Sequence, residues 1–231
     1  MLDAATISLQ RLRAGRSVQH LLLTGLRGVG KTVLLTRLGA LGEHAGFRVI
    51  RQEAVPGDDT VASLLRQARR IGEELDDGPA VARALRSIDS VSLTVAGTGV
   101  RVDREDVPAD REALADVVVD LARAAAEHDL GVVLALDEAQ QLHPDDLRRI
   151  LAGVHRCNQD ALPMWCVLAG LPNLVGVVAG ATTYAERLFT VGDLGPLTPS
   201  QVVEAVVLPA EELSVAWEER AARDVAGRSD G

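Results

Sequence analysis

Eight consecutive residues, Gly25-Leu26-Arg27-Gly28-Val29-Gly30-Lys31-Thr32, satisfy the pattern G-x-x-x-x-G-K-[ST] at every position. The chemistry such a run permits is phosphate capture. Its glycines let the backbone curl so that successive N–H groups point at phosphate oxygens, and a helix starting at the lysine adds the positive end of its dipole. Lys31 would reach the β- and γ-phosphates of a nucleotide, and the Thr32 hydroxyl is suited to ligate Mg²⁺. Lys31 is also the only lysine in the chain. The ammonium is kept at the one place where a planar guanidinium cannot replace it.

A second run, Val132-Val133-Leu134-Ala135-Leu136-Asp137-Glu138, delivers two carboxylates from the end of an apolar strand. In open α/β folds ligands sit at that edge of the sheet. Asp137 is suited to hold Mg²⁺, and Glu138 to orient or deprotonate an attacking water. Alone the pair would read as the start of a solvated loop; downstream of a complete phosphate loop it reads as chemistry.

Other candidates have bland readings of equal or greater weight. Asn173, in Gly170-Leu171-Pro172-Asn173, is either a sensor of the γ-phosphate or a turn or N-cap asparagine. Arg187, in Tyr184-Ala185-Glu186-Arg187-Leu188-Phe189, faces the nucleotide or a neighbouring subunit, or else forms a surface ion pair. Arg148, Arg149 and Arg156 are expected on a helix that could supply an arginine finger in trans, against the reading of a solvated face. No Asn-Lys-x-Asp stretch exists, which disfavours guanine selectivity. The five histidines lack ligand spacing, and Cys157 and Cys166 form no C-x-x-C pair.

The elements that must position these residues follow from periodicity. Strands are expected over His20–Thr24, Phe47–Gln52, Gly131–Leu136, Met164–Ala169 and Leu188–Val191. Helices are expected over Lys31–Glu43, Asp58–Glu74, Pro79–Arg86, Asp110–His128 and His143–Asn158, with a short one after Pro172. Thr198-Pro199-Ser200-Gln201 is a capping box opening a helix toward Leu208, and Ser214–Ala226 reads as the last helix. Between Ser90 and Asp103, Val91, Leu93 and Val95 alternate with polar residues before Gly97-Thr98-Gly99, which predicts a hairpin. The fold class is therefore α/β: a three-layer α/β/α sandwich with a mostly parallel sheet. Residues 1–197 are expected to form the nucleotide-binding core, with the hairpin as a small insertion, and 198–231 a partial helical lid.

The chain of 231 residues, 47% hydrophobic and 25% charged, carries a formal charge of −9. That balance argues against a surface that coats nucleic acid indiscriminately. The apolar runs fall short of a bilayer span, so no membrane association and a cytoplasmic location are expected.

GLRGVGKT, ALDEAQ and AGLPNL, followed by YAERLF and LGPLTPSQ, together resemble prokaryotic AAA-type P-loop ATPases similar to the origin-recognition and STAND branches. The resemblance covers nearly the whole chain. It implies a five-stranded core in which a strand intervenes between those bearing the phosphate loop and the acidic pair. It also implies ATP and Mg²⁺ as ligands, and the roles given above for Gly25 to Thr32, Asp137 and Glu138. Asn173 becomes a sensor candidate. Such proteins usually continue into a complete lid; only two lid helices are legible here, and a lid arginine acting as second sensor is expected to be missing. The resemblance points to an ATPase switch acting on a protein partner or on copies of itself. The alternatives are a regulatory nucleotide-binding module with little hydrolysis and a small-molecule phosphotransferase. DNA enters as a partner by family analogy alone.

Overall fold

A computed structural model describes residues 1–75, 78–97 and 113–228. Five strands, β1 (His20–Gly25), β2 (Phe47–Glu53), β3 (Gly131–Asp137), β4 (Met164–Gly170) and β5 (Phe189–Leu194), form one sheet in the order β2-β3-β4-β1-β5. Every pairing is parallel. β4 lies between β1 and β3, so the phosphate loop and the acidic pair leave the same edge one strand apart.

Alternation along the strands splits the core into two layers. Leu23, Val133, Ala135, Trp165 and Val167 pack with Leu9 and Leu12 of α1 (Leu2–Arg13) and with Leu35 and Leu38 of α2 (Lys31–His44). Leu22, Val132, Leu134, Leu136, Cys166 and Leu168 face the other way. They are covered by α3 (Thr60–Glu74), α4 (Pro79–Gly97), α5 (Ala113–Glu127) and α6 (Pro144–Gln159) through residues such as Leu64, Ile88, Leu121, Leu147 and Ile150. Each fully buried aliphatic side chain contributes about 1.5–3 kcal/mol, so the sheet edge that holds the site rests on a rigid support.

Local signals set the helix starts. Asp59 accepts from the Ala62 N–H at the head of α3, and Pro144 opens α6. Two short helices, α7 (Leu174–Ala181) and α8 (Ala185–Leu188), connect β4 to β5, and after β5 comes α9 (Pro199–Glu212), whose capping box joins Thr198 and Gln201. α9 packs against α10 (Glu219–Arg228). The last helix begins later than Ser214 because Ser214 itself takes a left-handed turn, φ 60°.

One expectation is corrected. The hairpin read over Ser90–Asp103 is helical as far as Gly97, where α4 ends; residues 98–103 lie outside the described residues. The brief alternation of Val91, Leu93 and Val95 competes with a longer helical stripe, in which Ala80, Ala84, Ile88 and Val91 are all buried. The longer pattern wins because it buries one face against α3 and α5. Among the described residues no helix is long and apolar enough to cross a membrane.

Candidate nucleotide site

β1 ends at Gly25 and α2 begins at Lys31, and the loop between them turns on Gly28 and Gly30, with φ of 87° and 89°. Only glycine takes these values without strain. The turn aims the N-terminus of α2 into a cleft of about 520 Å³, lined by Arg27, Gly28, Gly30, Lys31, Thr32, Glu53 to Pro56, Glu138 and Gln141. Lys31 is buried, and its Nζ donates to the carbonyls of Gly25 (2.9 Å) and Leu26 (2.8 Å). Two carbonyls thus hold the ammonium against the loop, where it can exchange them for phosphate oxygens. Leu26 and Val29 complete the loop, Leu26 being exposed at its crest.

The acidic pair comes to the same place from β3. The Thr32 Oγ1 donates to Asp137 Oδ2 at 2.6 Å, although 105 residues separate them in the chain. Asp137 is buried, and its other oxygen accepts from the Glu138 N–H at 2.9 Å. A hydroxyl and a carboxylate so close form the hard oxygen donor set that suits a divalent cation such as Mg²⁺. Glu138 is half-buried at the cleft wall with φ 48° and ψ 37°, a left-handed conformation that costs a non-glycine residue about 1–2 kcal/mol. The chain turns there, and the two carboxylates take separate partners, Asp137 the Thr32 hydroxyl and Glu138 the Gln140 amide.

Asn173 stands three residues beyond the end of β4, on the same edge, since Gly170 is level with Thr24. It is exposed, makes no capping hydrogen bond to α7, and does not line the cleft. Arg187 is elsewhere. It precedes β5, whose first residue Phe189 is level with His20 at the far end of β1. The length of β1, roughly 16 Å of strand, therefore separates it from the phosphate loop, and its carbonyl accepts from Gln19 at 3.3 Å. Arg148, Arg149 and Arg156 are paired with Asp145 (2.8 Å), Asp146 (3.2 Å) and Asp116 (2.6 Å). Arg148 and Arg156 are exposed, as on a solvated face, whereas Arg149 is half-buried with its carboxylate partner.

Three residues at this edge escape the sequence reading. Glu53 adds a third carboxylate from the end of β2, and Gln140 and Gln141 occupy the 3₁₀ turn after Glu138. Gln140 was visible only as the last letter of ALDEAQ. Burial pushes the Cys157 thiol up to about 12 and that of Cys166 above its ordinary range, so neither offers a thiolate at neutral pH.

Residues 2–168 match the sequence profile of the AAA ATPase domain. No curated protein matches the chain. Among solved structures, Cdc6p from Pyrobaculum aerophilum superposes with a TM-score of 0.60 at 18% identity, over 97% of this chain and 52% of that one. AMPPCP-bound DnaA from Aquifex aeolicus gives 0.55 at 13% identity, over 98% and 55%. The Aeropyrum pernix ORC1 protein in complex with DNA gives 0.51 at 22%, over 99% and 54%. At such identities the likeness concerns the fold, and the chain spans about half the length of these proteins.

Proposed function

The chain belongs to the AAA ATPase domain family, and on that premise we propose that it binds Mg·ATP at the head of α2 and hydrolyses it to ADP and phosphate as a switch for a partner. The observation that carries the reading is the 2.6 Å contact between Thr32 and Asp137 beneath the loop that holds Lys31. The loop N–H groups and Lys31 bind and orient the phosphates. Thr32 and Asp137 would hold Mg²⁺, which when bound neutralises phosphate charge. Glu138 takes a proton from water as its oxygen bonds to the γ-phosphorus and the bond to the bridging oxygen of ADP breaks. Asn173, on the same edge, is proposed to respond to the γ-phosphate. Arg187 is proposed to face a neighbouring copy, because its edge of the sheet is remote from the loop of its own chain. Residues 198–228 are proposed as part of a lid, and the cytoplasm as the site of action.

Phosphate release from Mg·ATP tests the reading. Lys31→Ala is expected to abolish both binding and turnover, and Glu138→Gln to abolish turnover while sparing binding. No turnover by the unaltered chain, with ATP still raising its melting temperature, would overturn hydrolysis and leave a binding module. An association with DNA draws support from the solved neighbours, one of which is a DNA complex. With a net charge of −9 any such contact would be local. It should weaken steeply with salt, and no binding at low salt would end that reading.

A further inference from the structure

Gln140 makes two hydrogen bonds that join separate parts of the site. Its Nε2 donates to Glu138 Oε2 at 2.5 Å, and its Oε1 accepts from the Leu171 N–H at 3.3 Å. The partners fix the amide's direction. A carboxylate only accepts and a backbone N–H only donates, so the flipped amide would lose both bonds. The arrangement also needs β4 to end in glycine, because a Cβ on residue 170 would lie 2.0 Å from Gln140 Oε1. One side chain thus ties the carboxylate at the cleft wall to the segment that leads from β4 to Asn173.

The bond to Glu138 is charge-assisted and short, the kind that fixes a side chain's orientation. It engages Oε2 and leaves Oε1 for a water in the cleft. A base in water activation needs one oxygen correctly aimed, and small misplacements at such a group are costly. We propose that Gln140 is a positioning residue for Glu138, and that it is the link through which the segment between β4 and α7 acts on that carboxylate. The proposal rests on the hydrolysis reading above for its first half; the link stands on the two hydrogen bonds.

Two substitutions separate the bonds. Gln140→Glu keeps an acceptor for Leu171 but sets a like charge beside Glu138; Gln140→Leu removes both. Steady-state ATP turnover and hydrogen exchange at the Leu171 amide are measured on the full chain. Both variants are expected to lower kcat on the order of ten-fold with KM within about two-fold of the unaltered value. Exchange at Leu171 should quicken in Gln140→Leu and stay near the unaltered rate in Gln140→Glu. A residue that only braced the backbone would leave kcat normal in Gln140→Glu, and that result overturns the positioning role. No turnover by the unaltered chain defeats the hydrolysis reading and the positioning role with it. The link is then decided by exchange alone: Glu138→Ala should quicken exchange at Leu171 when Gln140 is present and add nothing in Gln140→Leu. Equal effects in both backgrounds, or none, would overturn it.

Discussion

Thr32 and Asp137 show what a single pair of residues can establish. The hydroxyl belongs to the phosphate loop and the carboxylate to the acidic pair, and their 2.6 Å contact is where the two motifs become one site. If both hold Mg²⁺, ATP affinity should depend on the metal through Thr32. Chelating Mg²⁺ is expected to weaken ATP binding on the order of ten-fold in the unaltered chain and much less in Thr32→Val. Calorimetric titration with and without a chelator checks this, and an equal loss in both proteins would remove Thr32 from the metal's ligands. Both residues stand out in the sequence, Thr32 because the spacing of its run is itself the signal and Asp137 because its apolar run follows that complete loop. Glu53 and Gln140 do not, since their roles depend on which strand ends come together across the sheet. For Arg187 the sequence leaves the nucleotide, a neighbouring subunit and a surface ion pair open, and the register of β5 sets it at the opposite edge from the phosphate loop of its own chain.

At the scale of elements, β1 carries a buried polar group at the end away from the phosphate loop. His20 is nearly inaccessible, its Nδ1 accepts from the Cys166 N–H at 3.1 Å, and its ring leans on Phe189 with centroids 5.8 Å apart. Burial pushes its pKa down to about 3 from 6.5, so the folded protein keeps the ring neutral. An unfolded chain takes up a proton below pH 6.5. His20 therefore leaves stability intact above pH 6.5 and erodes it as pH falls from there toward 3, by up to about 1.4 kcal/mol per pH unit. Denaturant unfolding at pH 7 and pH 5 should show a loss of about 2 kcal/mol that His20→Asn largely removes; an unchanged loss would place the acid sensitivity elsewhere. The strands themselves were readable from sequence: β1, β3 and β4 each match the expected range except for one added residue at the end, because a run buried on both faces has no competing period. The second half of α4 departs from the sequence expectation, because three alternating residues there compete with a stripe that shows only over about three helical turns.

For the whole molecule, all five strands send their C-terminal ends to one edge, and ligand binding there should stabilise everything the sheet supports. Mg·ATP at a hundred times its dissociation constant is expected to add about 2.7 kcal/mol to the unfolding free energy, seen as a rise in melting temperature that Lys31→Ala abolishes. An equal rise in that variant would mean the nucleotide binds away from the phosphate loop. The composition that leaves one lysine has a further result for how this protein can be watched. A protease specific for lysine meets one target in the entire chain, the bond after Lys31, whose side chain is buried at the head of α2 with its ammonium held between two carbonyls. Cutting requires that site to open. When reclosing outpaces cleavage, the rate of cutting follows the population of the open form. A single nick, scored as two fragments on a gel, would count how often the phosphate loop comes apart, and each bound nucleotide would lengthen the wait.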